Sequence, residues 1–255
     1  MAFDFLKKGM DALIGQAKRA KKTVEVRGGP TPILSLESRL AIPKMKGLIE
    51  RMGERFVPPA LPSLQEKTVL EWGEWPLHFK NPIQAKKPKL FYGVIVGNSH
   101  QTKVLQSESP YLIQANFKSI PFESGFFDCV LCRLATPAQG DVISLFKELG
   151  RVLAPEGCAL VLDFHPFGLY AKSGAVRLRS VQATIRGLED YYKMCRMAGL
   201  QITEVREGFF DDTLRNQFVT PQEMSVFREI KGTPLVLFLK MIKLRPSVHG
   251  PRSPV

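Results

Sequence analysis

Thr68-Val-Leu-Glu-Trp-Gly-Glu-Trp-Pro-Leu77 is a short apolar run that meets an acid, Glu71, and then a turn glycine, Gly73. A brief apolar run bounded by a turn signal reads as a buried strand. Further along, Asn116-Phe-Lys-Ser-Ile-Pro-Phe-Glu-Ser-Gly-Phe-Phe-Asp128 reads as a loop feeding another such strand at 127–132. Working outward, apolar runs recur at 90–96, 111–115, 158–164 and 234–243, and residues 201–207 alternate in the manner of a strand. Between them lie helical patterns. Residues 141–153 place Val142, Leu145, Phe146, Leu149, Val152 and Leu153 on one side, and Pro155-Glu-Gly157 stops that helix. Residues 188–198 form another, ended by Gly199. Near-continuous apolar strands separated by helices predict a mostly parallel sheet buried on both faces.

The bulk composition agrees. The chain has 255 residues, 44% hydrophobic and 24% charged, which suits one α/β domain with extensions, or two small domains, and a real core. Its net charge of +12 favours anionic partners. No stripe interleaves aromatic side chains with Lys and Arg, so nothing supports a nucleic-acid role. No run of eighteen apolar residues predicts a transmembrane helix. The reading is therefore of a cytoplasmic protein, or one peripheral at a membrane. Cys129, Cys132, Cys158 and Cys195 lack a preceding secretory signal, so reduced thiols are expected rather than a disulfide framework. Cys129 and Cys132 have Cys-x-x-Cys spacing, but on a strand residues three apart face opposite sides. They are expected as core thiols, and no metal site is predicted.

The organisation predicted is a basic amphipathic helix over 1–27, a helical and linker extension over 28–65, the α/β domain over 66–245 and a tail over 246–255. Residues 1–22 hold six bases and two acids, with Phe3, Leu6, Met10, Leu13, Ile14 and Ala17 at helical spacing. Such a helix is either a membrane-surface anchor or a docking element for the domain or a protein partner. Helical periodicity over 35–56 is interrupted by Pro43, and Pro58-Pro-Ala-Leu-Pro62 is expected to be an extended linker.

Two further motifs carry a resemblance. Leu145-Phe-Lys-Glu-Leu-Gly-Arg-Val-Leu-Ala-Pro-Glu-Gly-Cys-Ala-Leu-Val-Leu162 has a helix, an Arg-Val-Leu, a Pro-Gly turn and an apolar strand. Ile120-Pro-Phe-Glu-Ser-Gly-Phe-Phe-Asp-Cys-Val130 has a Leu-Pro-Phe-like loop and a Phe-Asp-Val-like strand. In this order they resemble the class I S-adenosylmethionine-dependent methyltransferases, of the type 11 kind, over roughly residues 66–245. The resemblance implies a doubly wound, seven-stranded, Rossmann-like sheet with S-adenosylmethionine as cofactor.

The resemblance also implies the site, and here the chain departs from its pattern. The family ends its first strand with an acid and a glycine-rich turn that lets backbone approach the cofactor. Glu71 and Gly73 match, whereas Trp75 and Leu77 stand where further glycines belong. Trp75 puts an indole where the cofactor would lie. The acid that receives the ribose hydroxyls is replaced by Ile95, and losing a charged acceptor costs about 1.5–3 kcal/mol. Asn116 takes the place of an adenine-contacting acid and keeps an acceptor, and Phe117 offers a stacking face. His165, two residues after Asp163 at the end of a strand, is the candidate general base or orienting group. His78 follows the altered turn. Asp211-Asp212 reads as a solvated turn.

Two functions follow. One is a methyltransferase acting on a small-molecule or lipid-like acceptor, with Glu71, Gly73, Trp75, Ile95, Asn116 and Phe117 lining the cofactor and His165 near the acceptor. The other is a non-catalytic relative, a pseudoenzyme that keeps the fold as scaffold or partner subunit.

Overall fold

A computed structural model describes residues 42–73, 77–96, 103–105, 111–115, 119–133, 142–165 and 188–245. The predicted basic helix and the C-terminal tail lie outside the described residues. No described helix is long and apolar enough to cross a membrane.

The strands are β1 (Thr68–Gly73), β2 (Leu90–Val96), β3 (Lys103–Leu105), β4 (Tyr111–Ala115), β5 (Phe127–Arg133), β6 (Leu153–Phe164), β7 (Leu200–Phe209) and β8 (Pro234–Lys243). They form one sheet in the order β3-β4-β2-β1-β5-β6-β8-β7. Strands β4, β2, β1, β5 and β6 are parallel, and β8 enters antiparallel between β6 and β7. All seven predicted strands are present. The eighth, β3, adds three residues antiparallel to β4 at the edge. It is too short to leave a periodic signal.

Two apolar layers sandwich the sheet. Helix α1 (Ile42–Ala60) and helix α2 (Lys80–Gln84) lie on one face. Leu48, Ile49 and Met52 of α1 join Leu160, Leu162, Val236 and Phe238 there. On the other face α3 (Val142–Val152) and α4 (Leu188–Met197) bring Leu145, Phe146, Leu149, Tyr191 and Met194 against Val130, Val161, Leu237 and Leu239. A short 3-10 helix (Asp212–Gln217) and α5 (Pro221–Ile230) complete the first layer through Leu214, Val226, Phe227 and Ile230.

The helix expected to break at Pro43 instead starts beside it. Proline is tolerated in a first turn, where its missing N–H has no intrahelical partner. The helix also runs through Pro58 and Pro59, so the expected extended linker is its last turn. The apolar face of α1 wins over the propensity of those prolines. Residues expected in an extension thus contribute Leu48, Ile49, Val57, Leu61 and Leu64 to the domain core. Strand β6 begins five residues before the predicted start and absorbs the Pro155–Gly157 turn, with Glu156 at φ 62°. Gly199 ends α4 at φ 68°, as predicted. Asp211 caps the 3-10 helix, its side chain accepting from Thr213 N at 3.0 Å.

Candidate functional site at the C-terminal edge of the sheet

Chain direction through the parallel strands reverses beside β1, with β2 on one side and β5 on the other. Open α/β sheets bind ligands in the crevice outside the carboxyl ends of such strands. Glu71, Gly73 and Arg133 all stand at that end of β1 and β5, and Ile95 pairs in register with Gly73.

Glu71 is fully buried. Its Oε1 accepts from Arg133 Nε at 2.8 Å and from the backbone N–H of Phe79 at 3.1 Å. Its Oε2 has no hydrogen-bond partner among the described residues. Burial pushes the Glu71 carboxyl above the usual carboxylate range, and the Arg133 guanidinium pulls it back. Arg133 is itself 1% exposed and its Nη1 donates to Glu50 of α1. Glu50 faces His78 Nδ1 at 3.6 Å, and His78 Nε2 lies 3.0 Å from Glu54 Oε1. One chain of polar and charged side chains thus runs from the strand ends to α1. Beside it opens a cavity of about 410 Å³ lined by Lys44, Glu50, Arg51, Glu54, His78 and Gln217, among others.

The close packing of β1 against β5 also needs a glycine at position 73. A Cβ there would come within 2.6 Å of the Arg133 carbonyl oxygen and 2.8 Å of its Cγ. The missing side chain makes room for Arg133. Ile95 is half-buried and offers no acceptor. Trp75, Asn116 and Phe117 lie outside the described residues.

His165 follows β6, two strands from β1. Its backbone N–H donates to Leu235 O at 2.9 Å, and its ring Nε2 lies 2.6 Å from Glu207 Oε1 on β7. The ring is buried, and burial holds its pKa below the usual histidine range against the pull of Glu207. The structure therefore groups Glu71, Gly73 and Ile95, and sets His165 apart in a contact with Glu207. Sequence reasoning missed Arg133 and Glu50. Arg133 left a signal, being a charge that closes the apolar strand Phe-Asp-Cys-Val-Leu-Cys-Arg. Glu50 left none. Cys129 and Cys132 face opposite layers as expected, and among the described residues no cluster of three or more His, Cys, Asp or Glu side chains is arranged to hold a metal.

Strand order and site define the class, the class I methyltransferase fold. Residues 95–161 match the family model described as "Methyltransferase domain". A malonyl-[acyl-carrier protein] O-methyltransferase of Halorhodospira halophila is 28% identical over 126 residues, 48% of this chain and 41% of that protein. The chain thus aligns with less than half the length of this curated relative. An S-adenosylmethionine-dependent methyltransferase from Mesorhizobium loti superposes with TM-score 0.55 at 15% identity, covering 78% of this chain and all of that one. The phosphoethanolamine N-methyltransferase 2 of Haemonchus contortus, in complex with S-adenosylmethionine, gives 0.53 at 14% identity, covering 78% of this chain and 53% of that one. The chain has the fold of the class I S-adenosylmethionine-dependent methyltransferases, and part of it matches their domain model.

Proposed function

We propose that this protein transfers a methyl group from S-adenosylmethionine to a small-molecule or lipid-like acceptor in the crevice beyond β1, β2 and β5. The observation that carries this reading is Glu71 Oε2, a buried carboxylate oxygen at the topological switch point without a hydrogen-bond partner among the described residues. A buried acceptor left unmade costs about 1–3 kcal/mol or more, and a bound hydroxyl or ammonium group satisfies it. The residues fit the cofactor on this count, although Ile95 supplies no second acceptor.

When bound, S-adenosylmethionine supplies an electrophilic methyl group on a sulfonium. The chain's own part is positioning. Arg133 and the Phe79 N–H fix the Glu71 carboxylate by its other oxygen, so Oε2 is presented in one orientation. Glu50 anchors Arg133 from α1. The cavity beside Glu50 and His78 is the acceptor side of this reading. Its mixture of two carboxylates, a lysine and an arginine suits a polar acceptor head group. The Halorhodospira relative is named for an acyl-carrier-protein-bound acid, so carboxylic acids with acyl chains head the acceptor panel. Residues 1–22 remain the proposed docking element towards a membrane surface or protein partner.

A second reading, the non-catalytic scaffold, draws on Arg133. Its backbone and side-chain stem already occupy the space beside Gly73, and its guanidinium takes one oxygen of Glu71. A transfer assay with methyl-tritiated S-adenosylmethionine separates the two. Label in an acceptor from the fatty-acid, phenol and amine panel, lost in Glu71→Gln, is the expected result. Label in no acceptor from a protein that stays folded favours the scaffold.

A further inference from the structure

The opposite edge of the sheet carries a second constellation that methyl transfer does not use. Cys129 of β5 and Cys158 of β6 are direct partners in the parallel register. Both side chains enter the same apolar layer. Neighbouring strands lie roughly 4.8 Å apart, within the span of about 4.4–6.8 Å between Cα atoms that a disulfide bridges. Each thiol is near enough to shift the titration of the other. A cavity of about 220 Å³ opens onto both, with walls from Leu64, Lys67, Asp128 and Gly157.

The pair is not symmetric. Cys158 is 8% exposed and Cys129 1%. The neighbouring Cys129 thiol and the charge of Lys240 hold the Cys158 thiol below its usual range against burial. The neighbouring Cys158 thiol and burial push Cys129 up. The other two thiols are inert by comparison. Burial raises Cys132 on the far face, and pushes Cys195 up to about 12, where its thiol points at Met241 Sδ 3.3 Å away. A thiolate is the nucleophile in thiol chemistry, so the site selects Cys158 to react first.

We propose that Cys129 and Cys158 form a thiol–disulfide exchange site that accepts small disulfides through the cavity at the N-terminal edge of the sheet. Cys158 Sγ, as thiolate, attacks one sulfur of the small disulfide. The sulfur–sulfur bond breaks, a mixed disulfide forms on Cys158, and the departing thiolate takes up a proton. Cys129 then loses its proton and attacks Cys158 Sγ. The mixed bond breaks, a second small thiol leaves and takes that proton, and Cys129–Cys158 is joined. Two cysteine thiols are oxidised and one external disulfide is reduced to two thiols. A bridge between in-register parallel strands inside a packed sheet is constrained, which makes it readily reversed.

The test treats the folded full-length chain with 2-hydroxyethyl disulfide, followed by alkylation and peptide mass mapping. The expected product is a cross-linked peptide pair containing Cys129 and Cys158, restored to free thiols by dithiothreitol. Cys129→Ser is expected to stop at a stable mixed disulfide on Cys158, and Cys158→Ser to leave Cys129 unmodified. Cys158 is expected to react at least about tenfold faster than Cys132 or Cys195. Labelling of all four cysteines together, at the rate of global unfolding, overturns the proposal, as does modification of Cys132 or Cys195 before Cys158. Both are read on the unmutated chain, so a variant that fails to fold leaves the test intact.

Discussion

At its C-terminal edge the sheet buries Glu71, Arg133 and Asp163 on the adjacent strands β1, β5 and β6, with His165 buried just beyond β6. At its N-terminal edge, the charged pair Lys67–Asp128 stays half exposed at 3.1 Å and the buried groups are the uncharged thiols Cys129 and Cys158. Strand β5 spans both, from Asp128 and Cys129 at one end to Arg133 at the other. A buried ion pair gains little over an apolar replacement, because desolvation offsets the attraction. Of the two edges, the one that keeps charges in the interior is therefore the one built for a ligand; Glu148, the other buried carboxylate, is paired with Arg151 on α3. The N-terminal edge, by the same reasoning, is where the frame is closed and where thiol chemistry is compatible with the packing.

The sharpest way to break this contrast is Arg133→Met. It leaves Glu71 buried with no cation, and losing one partner of a buried pair costs about 3–5 kcal/mol. Chemical denaturation is expected to show a loss of that size. Adding Glu71→Leu to it is expected to restore much of the loss, because the orphaned carboxylate goes too. A double mutant no more stable than the single one would show that Arg133 serves packing and not charge.

Gly73→Ala is expected to cost about 1–3 kcal/mol through overpacking. Its Cβ meets backbone, the Arg133 carbonyl oxygen, which cannot swing aside as a side-chain end does. A neutral result would mean the β1 and β5 ends separate easily. Away from both edges, Thr220 caps α5 in a capping box with Glu223. Thr220→Ala is expected to cost about 1 kcal/mol and to leave ligand binding unchanged.

The smallest effect expected is a change in pH dependence. Burial depresses the folded pKa of His165, so the unfolded chain takes the proton first as pH falls. The stability held by neutral His165 is present above about pH 6.5 and is lost as pH falls from there through the folded pKa. His165→Gln is expected to flatten stability against pH in that window. An unchanged slope would locate the titration elsewhere.

The frame was legible because long apolar runs such as 234–243 and the Gly199 stop follow from burial and backbone geometry alone. Strand β3 was not, since three residues beginning with a lysine carry no periodicity. Pro58 and Pro59 misled, because local propensity yields to the core contacts of α1. At the site, Glu71 and Gly73 were readable from position in the first strand. Their partners were not: Arg133 lies 62 residues from Glu71 and 83 from Glu50, and only the sheet order brings them together. His165 read as an open base because its partner Glu207 is two strands away in the sheet, and no local pattern announces it.

The central claim is that the C-terminal edge holds S-adenosylmethionine through Glu71. Titration calorimetry of the full chain with S-adenosylmethionine and S-adenosylhomocysteine tests it most directly. Saturable binding at micromolar concentration, weakened at least about tenfold in a folded Glu71→Gln protein, is the result predicted. No heat for either compound at millimolar concentration, from protein with an intact unfolding transition, would contradict it.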